Sequence, residues 1–332
     1  MSDHASSSLT ALVVVLVCVI LSSAAALAVG AMTSETARAT ARQSARAACD
    51  AALADWISLY HRGAGEVDSP FEAYAVSMVL DGATVVPEDV SSRINMAWVR
   101  PDLIGSVNLS PYFRPGVSSD LRQYREGSGP IEGKAVNPLL TSDAARTILT
   151  DYSYADLNTS DAQAIEKLYA ARTDDVGRAH TLRAFIAAEA SSYHRITPGD
   201  LSTILDPHFG EVFPVICVAP PYNVNFAPIE IIQAVLALPE VGIVDFADRA
   251  KALVNARASG RVTMNRLYVI LGVPKENSVY DYLGAATWFW KLTIEAQGTT
   301  LGAIVARIPP FPGYELKAEK EPELRLVSRR FL

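Results

Sequence analysis

Between Ala5 and Ser34 the chain carries no charged residue. Inside that run, Leu9 to Val29 reads LTALVVVLVCVILSSAAALAV, about the ~20 apolar residues that a helix needs to cross a bilayer. Leu9, Leu12, Val13, Leu16, Val17, Ile20 and Leu27 are its anchor positions. A cleaved signal peptide is the alternative. The segment ALAVGA resembles a small-residue cleavage site, but no basic residue precedes the apolar run as a signal peptide requires. A retained, single-pass anchor is the favoured reading.

The helix does not stop at the bilayer. From Met32 to Tyr60 there is neither Pro nor Gly, and Ala, the best helix former, dominates. Leu9 to Tyr60 as one helix is on the order of 75 Å long at ~1.5 Å per residue. Arg38, Arg42 and Arg46 recur every fourth residue and share a face, which Cys49, Leu53, Trp56 and Tyr60 continue. The basic stretch is expected to meet lipid headgroups or partner helices, the alternative being a solvated basic face. The apolar stretch is expected to be the seam between helix and head. The first basic residue beyond the span is Arg38. Positive-inside bias would put the far side in the cytoplasm, yet long domains translocate largely regardless of charge. Both topologies stay open on charge alone.

Past Gly63 the pattern changes. Phe71–Val86 and Ile94–Arg100 read as strands, and 101–130 as a turn-rich stretch. From Pro138 to about Tyr282 the chain reads as short helices, over 143–150, 159–172, 178–191, 229–238, 246–258 and 264–271. Caps are expected at Thr159-Ser160-Asp161, at Thr197-Pro198 and at Asn223 to Pro228. After Tyr282 the period becomes two, so Thr287–Gln297 and Leu301–Ile308 form a hairpin and Glu323–Phe331 a last strand. Trp288 and Trp290, two apart, are expected on one sheet face. Strands on both sides of a helical block imply one antiparallel sheet with an insertion, because each strand group alone would be marginal. The organisation is then an anchor (1–30), the outer half of a long helix (31–62), the first part of a sheet (63–130), an inserted helical domain (131–284) and closing strands (285–332).

Composition narrows the chemistry. Lys and Arg number 29 against 36 Asp and Glu, giving a net charge of -7, whereas nucleic-acid affinity rests on cationic side chains. Cys18, Cys49 and Cys217 form no CxxC pair and read as buried thiols rather than a disulfide or zinc framework. No P-loop, GxSxG, HExxH or EF-hand loop occurs, so no enzymatic activity and no metal site are read from motifs. His180, His194 and His208 match no metal spacing and read as surface or capping groups. Asp174-Asp175 and Asp151, Asp156 and Asp161 would hold a hard cation only if the fold gathered them. The alternative for the same residues is solvated helix termini.

Two stretches carry a family resemblance. EGKAVNPLL (Glu132–Leu140) and PYNVNFAPIEIIQAVLALPEV (Pro221–Val241) resemble the paired asparagine signatures of K-type minor pseudopilins, the GspK family of type II secretion. Asn137, Asn223, Asn225, Ala227 and Pro228 are the motif positions. RVTMNRLYVILGV and the span from FWKLTIEAQ to VSRRFL resemble the family's later segments, so nearly the whole chain is covered. The resemblance implies an α+β, pilin-like fold: a long N-terminal transmembrane helix packed on an antiparallel sheet, with a large inserted helical domain containing helix-hairpin-helix-like elements. It implies a structural subunit at the tip of a periplasmic pseudopilus, anchored in the bacterial inner membrane and helping to initiate assembly for export across the outer membrane. Implied partners are I- and J-type minor pseudopilins, with the major pseudopilin, the secretin or the cargo beside them. Some members bind Ca²⁺ in the insertion, with no ligands assignable here. The start MSDHASSSLTALVVV lacks the family's basic leader and its Gly, for which Ser8 is a poor stand-in. Like the family, it lacks the early anchor glutamate of other pilins.

The stretch from Pro220 to Gly242 is also written like the DNA-gripping hairpins of membrane-anchored, ComEA-type competence receptors. Such hairpins place Gly where backbone amides approach phosphate. Here the turn is Leu238-Pro239-Glu240-Val241-Gly242, and no Lys or Arg lies between Pro220 and Asp248. The hairpin is therefore read as architectural and no nucleic-acid partner is expected, with Asn223 and Asn225 capping the turn into the helix near Ile229.

Overall fold

The computed structural model describes residues 3–128, 133–192, 194–310 and 323–332, with side chains over 16–127, 135–190, 194–310 and 323–332. The fold is α+β. Helix α1 runs from Asp3 to Gly63, 61 residues, or roughly 90 Å at ~1.5 Å per residue. From Leu16 to Ser44 every residue is exposed. Apolar side chains are exposed there all round the helix, Leu16 at 59% and Leu27 at 76%. Hydroxyls in this stretch bond their own helix: Ser22 donates to the Cys18 carbonyl and Ser23 to that of Val19, so they add no unsatisfied donor to an apolar surround. The helix is long and apolar enough to cross a membrane, and none of that span is buried against protein. The side chains of Leu9, Leu12 and Val13 lie outside the described residues.

Burial begins one turn before Cys49, at Ala45, and includes Cys49, Ala52, Leu53, Trp56 and Tyr60. These residues lie on a five-stranded antiparallel sheet: β1 (Met78–Leu80), β2 (Ala83–Asp89), β7 (Phe289–Ala296), β8 (Thr299–Arg307) and β9 (Leu324–Phe331), in that spatial order. The period-two pattern sends Val85, Trp290, Leu292, Ile294, Leu301, Ala303 and Val305 toward α1. Two hairpin turns, Asp81-Gly82 and Gln297-Gly298, have positive φ at both central residues. That geometry matches the strands' own twist, and only Gly takes it without strain at the second place.

The remaining strands are pairs of two residues. β3 (Ala155–Asp156) pairs with β4 (Ile216–Cys217), and β5 (Tyr222–Asn223) with β6 (Leu283–Gly284). They stitch the helical block between β2 and β7: α2 (Pro101–Ile104), α3 (Val117–Ser128), α4 (Ala162–Thr173), α5 (Val176–Ser192), α6 (Leu201–Ile204), α7 (Phe209–Val212), α8 (Ile229–Leu236), α9 (Phe246–Ser259), α10 (Met264–Leu271) and α11 (Val279–Tyr282). One apolar core joins α2, α3 and α8 to α11, and a second joins α4 to α7. A small third cluster, with Tyr154, Trp288, Phe289 and Ile304, seats the block on the sheet face away from α1.

Several expectations are corrected. Phe71–Val86 is not one strand but a 3-10 turn at Ala73–Ala75 followed by a hairpin, because Asp81-Gly82 reverses the chain. Residues 94–100 make two isolated bridges, Ile94 to Leu149 and Val99 to Ser160, rather than a strand. Buried Arg125 takes up the carbonyls of Met96, Ala97 and Val99, which a ladder would otherwise use. The stretch over 101–128 contains α2 and α3, and its apolar residues Leu103, Ile104, Leu109, Val117 and Leu121 belong to the helical core. The helical block therefore takes in residues that the sequence reading gave to the sheet. Trp288 and Trp290 do not share a face: Trp290 faces α1, while Trp288 precedes β7 and turns its indole N–H to the Pro220 carbonyl at 2.7 Å.

Candidate functional site

The seam between α1 and the head is an aromatic cluster. Trp56 is fully buried. It stacks on Tyr60 at 5.4 Å between ring centroids, meets Trp290 edge-on at 6.0 Å, and donates its indole N–H to the Tyr74 carbonyl at 2.8 Å. Tyr74 closes the ring of contacts, 4.7 Å from Tyr60 and 5.9 Å from Trp290. The arrangement satisfies the one polar atom of Trp56 and buries the rest. Cys49 sits higher on the same face, its thiol directed at the carbonyls of Ile294 and Thr299. Burial and neighbouring Asp50 push that thiol's pKa up, so it is an inert core group.

Beneath this seam lies a buried polar junction that neither spacing nor composition pointed to. Asp68, in the link after α1, is fully buried. It accepts from the Tyr74 hydroxyl at 2.7 Å and the Thr287 amide at 2.7 Å, and pairs with Arg307 at 3.2 Å. Burial raises its pKa while Arg307 opposes the rise. The motif residue Asn223 spans the same junction. Its amide group donates to the Asp68 carbonyl at 2.9 Å and to the Thr287 hydroxyl at 3.0 Å, while its side-chain oxygen accepts from the Asn225 amide at 2.9 Å. Its backbone N–H donates to Ser92, which in turn bonds Asp89 at the end of β2. One side chain thus joins the helix link, the entry to β7 and the helical block. Asn225 grips both backbone groups of Val262 between α9 and α10, at 2.8 and 3.1 Å. Neither asparagine caps α8 itself, whose N-cap is Pro228 with no side-chain bond; Asn223 closes the turn before it, its side-chain oxygen accepting from the Asn225 backbone N–H, and both side chains also make the longer ties. Ala227 is fully buried, its N–H held by the Asn223 carbonyl at 2.8 Å.

Asn137 is not part of this junction. It lies exposed in a 3-10 helix over Gly133–Leu139 while Val136, Leu139 and Leu140 beside it enter the core. Glu132, at the head of that motif, lies outside the described residues.

The hairpin between α8 and α9 is closed to an anion. The amides of Val241 and Gly242 both bond the Leu238 carbonyl. The Glu240 carboxylate pairs with Arg100 at 2.7 Å, and the Glu240 and Val241 carbonyls accept from Ser278 and Asn277. Two backbone amides of the turn are therefore already bonded within the fold, and a carboxylate stands beside them.

Arg38 and Arg42 are exposed on the projecting part of α1. Arg46 is exposed too, but its guanidinium lies 5.1 Å above the ring of Phe331 on β9. It therefore belongs to the head, a correction to its grouping with the other two. Of the carboxylates offered for a cation, Asp156, Asp161 and Asp175 are held separately, while Asp151 and Asp174 are exposed. Asp161 caps α4 and pairs with Arg125, Asp175 bonds the Arg178 amide, Asp174 ends α4, and Asp156 accepts from Thr159, Asn158 and Ala219. Among the described residues no three His, Cys, Asp or Glu side chains come together as a metal site would require. His180 and His194 pair with Glu166 and Glu189, and His208 bridges Asp175 and Glu211.

No family model matches the chain, and no curated protein matches it. Among solved structures, the crystal structure of the GspK-GspI-GspJ complex from the enterotoxigenic Escherichia coli type 2 secretion system is similar over 90% of this chain and 98% of that chain, at 9% identity and a TM-score of 0.31.

Proposed function

We propose that the chain is a membrane-anchored structural subunit of the pseudopilin kind, a K-type minor pseudopilin that starts assembly at the tip of a short periplasmic fibre in type II secretion. The observation that carries this reading is the division of α1: exposed on every side from Leu16 to Ser44, then packed on the sheet along one face from Ala45 to Tyr60. A helix that is uncharged through its span and then polar from Thr33 to Ser44, with Glu35, Arg38 and Arg42 among small residues, packs none of that bare surface against the described part of its own head. It suits a position beside other such helices, first in lipid and then in a fibre.

The sequence resemblance adds the partners, I- and J-type minor pseudopilins, with the secretin or the cargo above them. On this reading the anchor is in the inner membrane, the head is periplasmic, and the asparagine motifs are structural. The closed hairpin turn and its paired Glu240 speak against the competence-receptor alternative. Co-expression of the full chain with I- and J-type minor pseudopilins, followed by affinity capture in detergent, tests the proposal. A stoichiometric complex is expected. Capture of neither partner by a folded chain would overturn it.

A further inference from the structure

The sheet has two edges, and they differ. β1 is three residues long, whereas β9 is eight and pairs among the described residues only with β8. The Leu332 amide donates to Thr300, and Phe331, Arg330 and Arg329 face Leu301, Gly302 and Ala303. Antiparallel pairing alternates, so the backbone N–H and C=O groups of Phe331 and Arg329 point away from β8, toward the open edge.

That edge is basic in an acidic protein. β9 holds Arg325, Arg329 and Arg330 and no carboxylate, against a net charge of -7 for the chain. Arg329 pairs with Asp50 and, with Arg46, brackets the Phe331 ring. Arg325 and Arg330 are exposed and form no ion pair among the described residues. Leu326 and Val327, each 45% exposed, add apolar surface beside them.

Charges and bulges on an edge strand guard against self-pairing, and β9 has both, a register shift falling opposite Ile304 and Val305. The guard is selective: arginines repel a second copy of β9 and attract an acidic strand. Lipid is not the counterpart. Arg46, at the base of this patch, stands 17 residues beyond Val29, about 25 Å along the helix, past a headgroup layer of roughly 5–8 Å.

We propose that β9 is a docking edge for an extended acidic segment of a partner polypeptide, which joins the five-stranded sheet as a further strand. Backbone pairing supplies the fit and the arginines choose the sign of the charge. The inference goes beyond the secretion reading and does not depend on it.

The test uses the full chain in neutral detergent and fluorescence anisotropy with three labelled eight-residue probes. One alternates Thr and Val with Glu, the second has Lys for Glu, and the third is the Glu peptide with its central amides N-methylated. The Glu peptide is expected to bind at least about tenfold more tightly than either of the others. It should also lose that margin on a doubly substituted Arg325→Glu, Arg330→Glu chain that melts like the parent. Equal binding of the N-methylated probe would overturn strand addition, leaving only a charged patch. Unchanged binding to the variant would overturn the site. Tighter binding of duplex DNA at the same edge would overturn the choice of a polypeptide.

Discussion

Replacing Trp56 with alanine removes the centre of the helix-to-head seam. A buried tryptophan hides on the order of 150–250 Å², which at ~25 cal/mol per Å² is about 4–6 kcal/mol; measured truncations of this kind cost about 3–5 kcal/mol. The Tyr74 carbonyl, now bonded by the indole at 2.8 Å, also loses its partner. A head of ordinary stability has only about 5–15 kcal/mol in total, so the variant should lose at least about a fifth of it and, in a marginal head, nearly all. Trp56→Phe keeps a ring and loses the N–H, and should cost about 1–3 kcal/mol. Urea unfolding of the full chain in detergent, followed by near-ultraviolet circular dichroism, separates the two. Unfolding of Trp56→Ala at the parent's midpoint would show that the helix is held elsewhere and does not need this side chain.

Arg42→Ala, on the bare part of α1, should leave that midpoint unchanged while weakening capture of partner subunits; an unaffected capture would remove Arg42 from the contact. Asn223→Ala should destabilise by about 2–4 kcal/mol, because the Asp68 carbonyl and the Asn225 amide both lose partners; a neutral result would mean water replaces the side chain. Asp156 is fully buried, and burial pushes its pKa up to about 7 against the donors it holds. The folded state then binds that proton more tightly than the unfolded chain, so the group's contribution to stability is present near pH 4 and is lost as pH rises through about 7. Denaturation midpoints measured across that range should fall less steeply for Asp156→Asn than for the parent, and equal slopes would refute the assignment. The chain should show no duplex DNA binding at physiological salt by gel shift; a micromolar complex that weakens steeply with salt would contradict the closed turn.

The readable parts of the fold were those written by period. The apolar run and the Ala-rich continuation announced α1, the four-three-four spacing of Cys49, Leu53, Trp56 and Tyr60 announced its buried face, and Met264–Leu271 matched its helix to the residue. The closing hairpin was legible from the alternation on both sides of Gly298-Thr299-Thr300, although the turn itself is Gln297-Gly298 and the last two of those residues already belong to β8. Less legible were elements shaped by long-range bonds. Ile94–Arg100 alternates like a strand, yet Arg125 takes its carbonyls. Trp288 and Trp290 have strand spacing, but the strand begins between them. Asp68 and Arg307 are 239 positions apart, and nothing local marks either as a junction residue. Asn223 and Asn225 were noticed as a turn signature, while their wider role depends on Thr287 and Val262, which only the fold brings near.

On the proposed function, the bare part of α1 is the surface on which this chain assembles. The most direct measurement places a photo-crosslinking amino acid at Thr40, exposed on that stretch, and separately at Val269, 80% exposed on the head, in cells producing the I- and J-type minor pseudopilins. Crosslinks are expected from Thr40 to a partner's helix and none from Val269. A silent Thr40 in a chain that is folded and membrane-inserted, or equal yields from both positions, would contradict that role for the bare helix.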